Sequence, residues 1–212
     1  MPSHNGREAR SPGRPRSEFS RRSVLEATQA LLETTSIRNL TIEAIAQKAG
    51  VGKTTIYRWW SSKTAIVIEV FMNLAALDAP AKDAESASLA LSDQISRLIT
   101  HYRGETGRIA AGILAEGQFD PEIITEFRHR FFVKRRAEVQ AVVDKGVERG
   151  EFTIEADVDT VIDMIYGAIY FRLLIGHSAL DAEFAASLPA MALRVLGKQE
   201  TSTRHPVSAV PS

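Results

Sequence analysis

From Gly52 to Trp60 the chain runs GKTTIYRWW, a stretch whose chemistry is hydrogen-bond donors and flat rings. With Val51, Ile56 and Trp60 turned inward, Lys53, Thr54, Thr55, Tyr57, Arg58 and Trp59 are left facing solvent or a partner, and that face holds no acid. Lys, Thr, Tyr and the free amides at a helix start donate to phosphate oxygens. Lys and Thr also reach base edges in a major groove, and a Thr methyl can meet the methyl of thymine. This chemistry suits a DNA duplex.

Positioning such a face takes two short helices that cross steeply. A steep crossing needs a small residue where the helices touch, a glycine in the turn, and apolar residues clamping the second helix onto the first. Ala46, Gly50, Val51 and Ile56 supply these in order, at the spacing of a helix-turn-helix. An ordinary pair of core helices is the alternative, and the exposed donors weigh against it. The first helix of the pair starts after Thr41, a good N-cap, and buries Ile42, Ile45, Ala46 and Ala49 at i, i+3, i+4 and i+7. Gly50 ends it, because glycine enters the left-handed region without penalty.

Apolar residues recur at three and four along the rest of the chain, so the expected fold is all-α. A helix over about 20–34 presents Val24, Thr28, Leu31 and Leu32; one from Ser62 presents Ile66, Val67, Val70, Phe71 and Leu74. Residues 78–86 form a linker, and helices follow at about 87–102, 106–117, 121–149, 157–176 and 181–196, with breaks at Gly104, Gly107, Asp120-Pro121, Gly150 and Gly176. The expected organisation is a disordered basic arm (1–17), a DNA-binding domain (18–64), a larger helical domain (65–197) and a disordered tail (198–212).

The chain of 212 residues has no net charge, yet the first 63 residues carry eleven Lys/Arg against five Asp/Glu. The basic end is therefore the one suited to a polyanion. Without cysteine there is no disulfide, thiolate metal site or cysteine nucleophile. The five histidines are scattered, and no serine elbow, phosphate loop or dinucleotide fingerprint appears, so neither an enzyme nor a metal or other cofactor is expected. No apolar run suggests a membrane span or secretion signal, and a cytoplasmic protein is the expectation.

The segment AIAQKAGVGKTTIYRWWSSKTAIVIEVF resembles the DNA-binding domain of the tetracycline-repressor (TetR) family, a likeness that spans about residues 20–74. VDTVIDMIYGAIYFRLLIGHSALDAEF resembles a subgroup of the same regulators, less specifically. The resemblance implies a three-helix DNA-binding domain, a larger helical domain with a pocket for a small-molecule effector, and a homodimer through about 157–176 and 181–196. It makes the helix from Gly52 the recognition helix, with Lys53, Thr54 and Thr55 nearest the bases. Tyr57, Trp59 and Lys63 then match phosphate-contacting positions, and Thr41 a helix end that meets the backbone. Arg58 could instead turn back toward acids of the first helix.

Other stretches carry weaker signals. Gly13-Arg14-Pro15-Arg16 is similar to a minor-groove hook, with Arg14 and Arg16 against DNA or, alternatively, part of a solubilising tail. Arg128 to Arg136 is basic and aromatic; its expected reading is a solvated helix face with Phe127 and Phe131 together and Lys134 paired to Glu138. Phe71, Ile113, Phe127, Phe131, Met164, Tyr166 and Tyr170 are candidates for an effector site, or plain core. For the dimer, Val161, Ile165, Gly167, Ala168, Ile169 and Leu173 on one helix and Phe184, Leu188, Met191, Ala192 and Val195 on the next form wide apolar surfaces. Both could also pack within the monomer.

Overall fold

In a computed structural model, which describes residues 13–75, 85–153 and 157–197, the N-terminal ends of five helices share one device. Thr41, Ser62, Ser86, Asp157 and Asp181 each accept a hydrogen bond from the backbone N–H three residues on. This satisfies one of the donors every helix start leaves orphaned, and fixes where α2 (Ile42–Ala49), α4 (Lys63–Leu74), α5 (Ala87–His101), α9 (Val158–Ile175) and α10 (Ala182–Val195) begin. The others are α1 (Gly13–Leu32), α3 (Lys53–Tyr57), α6 (Glu105–Glu116), α7 (Pro121–Phe127) and α8 (Val133–Glu148). Among the described residues there is no strand. At Gly50 and Gly176 φ is 66° and 67°, so α2 and α9 stop in the left-handed conformation that glycine adopts most cheaply.

Three boundaries differ from the sequence expectation. α1 starts at Gly13, about two turns before Ser20, because Pro15 falls in the first turn, where its fixed φ and missing N–H are tolerated. Residues 13–16 are thus the start of a helix and not an extended Arg-Pro-Arg hook; their side chains, residues 1–12, most of the linker and the tail from Lys198 lie outside the described residues. α3 ends at Tyr57, where the amides of Trp59 and Trp60 both turn onto the Ile56 carbonyl, at 2.9 and 3.0 Å. Between α7 and α8, residues Arg128–Phe132 make a π-helical turn in place of an unbroken helix. Its wider turn lets two successive rings face inward, Phe131 buried and Phe132 set edge-on to Tyr166 at 5.5 Å.

The chain forms two compact units. In the first, residues up to Ala75 together with 112–127, α1 packs on α2 and α4. Its interior holds Val24, Leu32, Ile45, Ala46, Ile56, Ile66, Val67, Val70 and Phe71, with Leu31, Ala49 and Leu74 at its margin. Thr28, fully buried, satisfies its hydroxyl on the Val24 carbonyl at 2.8 Å.

In the second unit, 76–111 with the residues from Arg128, α5 packs on α8 and α10. Pro189 sits inside α10 and cannot donate to the carbonyl four residues back, that of Ala185. The Ser96 hydroxyl of α5 donates to it instead at 2.8 Å, so the break in one helix becomes a tie to another. Glu151 ties the loop after α8 to α5: its carboxylate accepts from the Ala87 and Ser88 amides at 3.0 and 3.1 Å. Partial burial pushes this carboxyl up, but those hydrogen bonds outweigh it and leave the pKa below the ordinary value.

Candidate nucleic-acid interface

The apolar contacts that clamp α3 lie on one of its sides. The Val51 amide closes onto the Ala46 carbonyl at 3.1 Å, Ile56 is fully buried, and Trp60 is 4% exposed. The Trp60 indole N–H donates to Glu69 Oε2 at 2.8 Å, and the other oxygen of Glu69 takes the Arg21 guanidinium of α1. Arg21 also lies over the Trp59 ring, 5.7 Å from its centroid. α1, α4 and the residues after α3 are thereby joined through one carboxylate. A half-buried acid that satisfies two donors at once fixes the end of α3 against α1 and α4 more narrowly than apolar packing alone.

On its other side Lys53, Thr54, Tyr57, Arg58 and Trp59 are exposed and Thr55 is half-buried. Tyr57 is 55% and Trp59 39% exposed, a large aromatic surface for so short a segment. Arg58 is exposed, and among the described residues it makes no ion pair or side-chain hydrogen bond. Thr41 is exposed beside this face, and because its oxygen accepts from Ala44 at 3.1 Å, the hydroxyl hydrogen points away from the cap and can donate.

Two lysines are placed otherwise than their sequence suggested. Although α3 has no acid of its own, Glu43 of α2 reaches across, and its carboxylate lies 2.9 Å from the Lys53 ammonium. The hydrogen bond from Lys53 holds the Glu43 carboxyl below its ordinary pKa and raises that of Lys53 in turn. Lys63 donates to the carbonyls of Arg38 and Leu40, both at 2.8 Å, so two of its three N–H donors close the loop before α2 and the third, with the charge, is left for phosphate. Nothing in the sequence marks backbone carbonyls as its partners. The Glu43–Lys53 pair leads to an expected result: Glu43→Gln frees the ammonium and removes a negative charge, so DNA is bound a few-fold more tightly at low salt, with a steeper salt dependence. Fluorescence anisotropy at several salt concentrations measures this; weaker binding by Glu43→Gln would show that the carboxylate serves to aim Lys53.

The candidate effector residues separate between the units. Phe71, Ile113 and Phe127 are buried in the first, where the Phe71 and Phe127 rings lie 5.5 Å apart. Phe131 and Tyr166 are buried in the second and Tyr170 is half-buried there. Met164 is 52% exposed on the outer side of α9, which removes it from any interior site. Tyr102, not anticipated, is the fully buried end of a chain of rings, 6.0 Å from Tyr170, which stacks on Tyr166 at 6.1 Å. Burial pushes the Tyr170 hydroxyl up to about 12 and raises those of Tyr102 and Tyr166 as well, so all three are neutral donors near neutral pH.

The basic run that leads into α8 is partly consumed within the fold. Arg135 pairs with Glu138 at 2.7 Å, in place of the expected Lys134, and Arg136 with Asp159 at 2.7 Å and with Asp163. Of the apolar residues on α9 and α10 expected at a dimer face, Val161, Ile165, Ile169, Phe184 and Ala192 are buried within the chain. The outer apolar residues are Met164, Phe171, Leu174 and Ile175 of α9 and Met191 of α10, each about half exposed or more. Gly167 is exposed in the same stripe.

Comparison with known proteins places this geometry. Residues 24–70 match the model for bacterial regulatory proteins of the tetR family, and residues 81–192 that for a tetracyclin repressor-like C-terminal domain. The HTH-type transcriptional regulator YdeS of Bacillus subtilis is 32% identical over 190 residues, which cover 90% of this chain and 95% of YdeS. The crystal structure of the TetR family transcription regulator SCO0332 is similar with a TM-score of 0.64 and 30% identity, over 83% of this chain and 97% of that one. FadR from Bacillus subtilis, solved in complex with stearoyl-CoA, shares the fold with a TM-score of 0.66 at 17% identity, over 82% of this chain and 98% of its own.

Proposed function

This chain belongs to the TetR family of DNA-binding transcriptional regulators, and from that premise we propose that it is a homodimeric repressor released from its operator by a small molecule. The observation that carries the reading is α3, clamped by Ile56 and Trp60 on one side and offering Lys53, Thr54, Tyr57 and Trp59 on the other. The dimer sets two such helices in successive major grooves, about one helical turn apart, on a near-palindromic site. Lys53, Thr54 and Thr55 read bases, while Thr41, Tyr57 and Trp59 position the helix on phosphates. Arg58, exposed at the end of α3, adds a phosphate contact.

The effector binds in the second unit; FadR, which shares the fold, is itself solved in complex with stearoyl-CoA. α6 supports the coupling, since its first residues belong to the second unit and those from Gly112 onward to the first. Near its end, Glu116 pairs with Arg38 at 3.3 Å, and the Arg38 guanidinium lies over Phe119, 5.4 Å from the ring centroid. Arg38 is also one of the two residues whose carbonyls Lys63 holds at the start of α4. A shift of α6 thus pulls the loop from which α2 starts and, through Lys63, the start of α4, changing the spacing of the two recognition helices. By linkage, effector and operator must weaken each other's binding by the same factor.

Two substitutions separate reading from positioning. Tyr57→Phe is expected to weaken every duplex alike, by roughly 1 kcal/mol for one lost hydrogen bond to phosphate. Thr55→Ala is expected to change the ranking among duplexes, with discrimination at one base pair altered by about 1 kcal/mol or more. Anisotropy titrations against a panel of single-base operator variants distinguish these. A uniform loss from Thr55→Ala with a re-ranking from Tyr57→Phe would reverse the assignment.

A further inference from the structure

The loop from α9 to α10 borders an open surface cleft of about 480 Å³ in the second unit, lined by Tyr102, Arg103, Arg172, Leu173 and residues 178–182. Its volume lies within the range of small-molecule sites. Two guanidiniums stand in it, each fixed by one bond to the loop: Arg103 Nε donates to the Leu180 carbonyl, and Arg172 Nη1 to the Ala179 carbonyl at 2.7 Å. Arg172 also lies over the Phe184 ring, 3.7 Å from its centroid, which sets the plane of its fork. An arginine has five N–H donors, so one carbonyl bond each leaves most of both forks open. Neither makes a further ion pair or side-chain hydrogen bond among the described residues.

The single acid lining the cleft, Asp181, is already engaged, accepting from the Phe184 amide at 2.8 Å as the cap of α10. The lining therefore carries an excess positive charge on two pre-oriented forks, beside the half-buried apolar side chain of Leu173. We propose that this cleft binds a small organic carboxylate, its charged end held by Arg103 and Arg172 and its apolar body set against Leu173. Arginine forks match a carboxylate in two parallel hydrogen bonds, and fixing them beforehand reduces the ordering cost of binding. The carbonyl bonds to Ala179 and Leu180 remain in place on occupancy, so the ligand braces the entry to α10. The site stands independently of the repressor reading, since it needs no operator.

Isothermal titration of the full chain with sodium benzoate tests this, with benzamide as the neutral probe and ionic strength held constant with chloride. Expected is one saturable benzoate site per chain, benzamide weaker by at least about tenfold, and a further loss of about tenfold in Arg103→Gln, equivalent to about 1.4 kcal/mol. Circular dichroism verifies that Arg103→Gln is folded; Arg103→Lys, which keeps the charge and loses the fork, is expected to fall between it and the parent. Absence of benzoate binding, equal binding of benzamide, or unchanged benzoate affinity in folded Arg103→Gln or Arg103→Lys would overturn the proposal.

Discussion

Trp60→Ala is expected to lower the unfolding free energy by about 3–5 kcal/mol, the cost of emptying the volume of a buried indole. The ring is 4% exposed, and its N–H donates to Glu69 at 2.8 Å, so both packing and a half-buried hydrogen bond are lost. Glu69 keeps Arg21 as a partner, which prevents the larger penalty of a stranded carboxylate. Trp60→Phe retains most of the volume but not the donor, and is expected to cost about 1–3 kcal/mol. Trp59→Ala is the internal control, because this ring is 39% exposed and meets Arg21 only at a stacking distance. Urea denaturation followed by circular dichroism measures all three. If Trp59→Ala proved as costly as Trp60→Ala, the division of α3 into a clamped and an open side would fail.

Phe171→Glu is expected to yield a chain that sediments as a single copy of 23.3 kDa and binds operator at least about 100-fold more weakly than the parent. Phe171 is 59% exposed, and Met164, Leu174, Ile175 and Met191, exposed alongside it, form an apolar surface of the kind that pairs with a second copy in an isologous interface. A carboxylate buried there without a partner costs more than several apolar contacts return. Operator affinity falls with it, since each half-site then binds one helix-turn-helix without the tethered second. Lys134→Glu, exposed on α8, changes charge by more and is expected to leave the dimer intact. Dimers of Phe171→Glu at micromolar concentration would contradict the placement of this face.

The fold was readable wherever a local rule has no competitor. Thr41, Ser62, Asp157 and Asp181 mark helix starts by their own side chains, and Gly50 and Gly176 mark ends by their φ. Ile56 and Trp60 fall inward together because they stand four residues apart, one turn, although α3 itself ends at Tyr57. The π-helical turn left no trace, since a single extra residue in a turn changes neither composition nor the first ring pair, Phe127 and Phe131. α9 is apolar on nearly every side, so periodicity could not tell the inner stripe of Val161, Ile165 and Ile169 from the outer one of Met164, Phe171 and Leu174. Long-range polar partners were the hardest to foresee. Glu43 meets Lys53 only because α2 and α3 cross, and Lys63 bonds to carbonyls, which every residue carries.

Selection of duplexes from a randomised pool by the full chain tests the central reading most directly, with binding of the enriched sequence then measured across salt. Expected is an inverted repeat with half-sites about one helical turn apart, bound by two chains, with affinity falling steeply as salt rises. Enrichment of no sequence, or of a single unrepeated site bound by one chain, would contradict it.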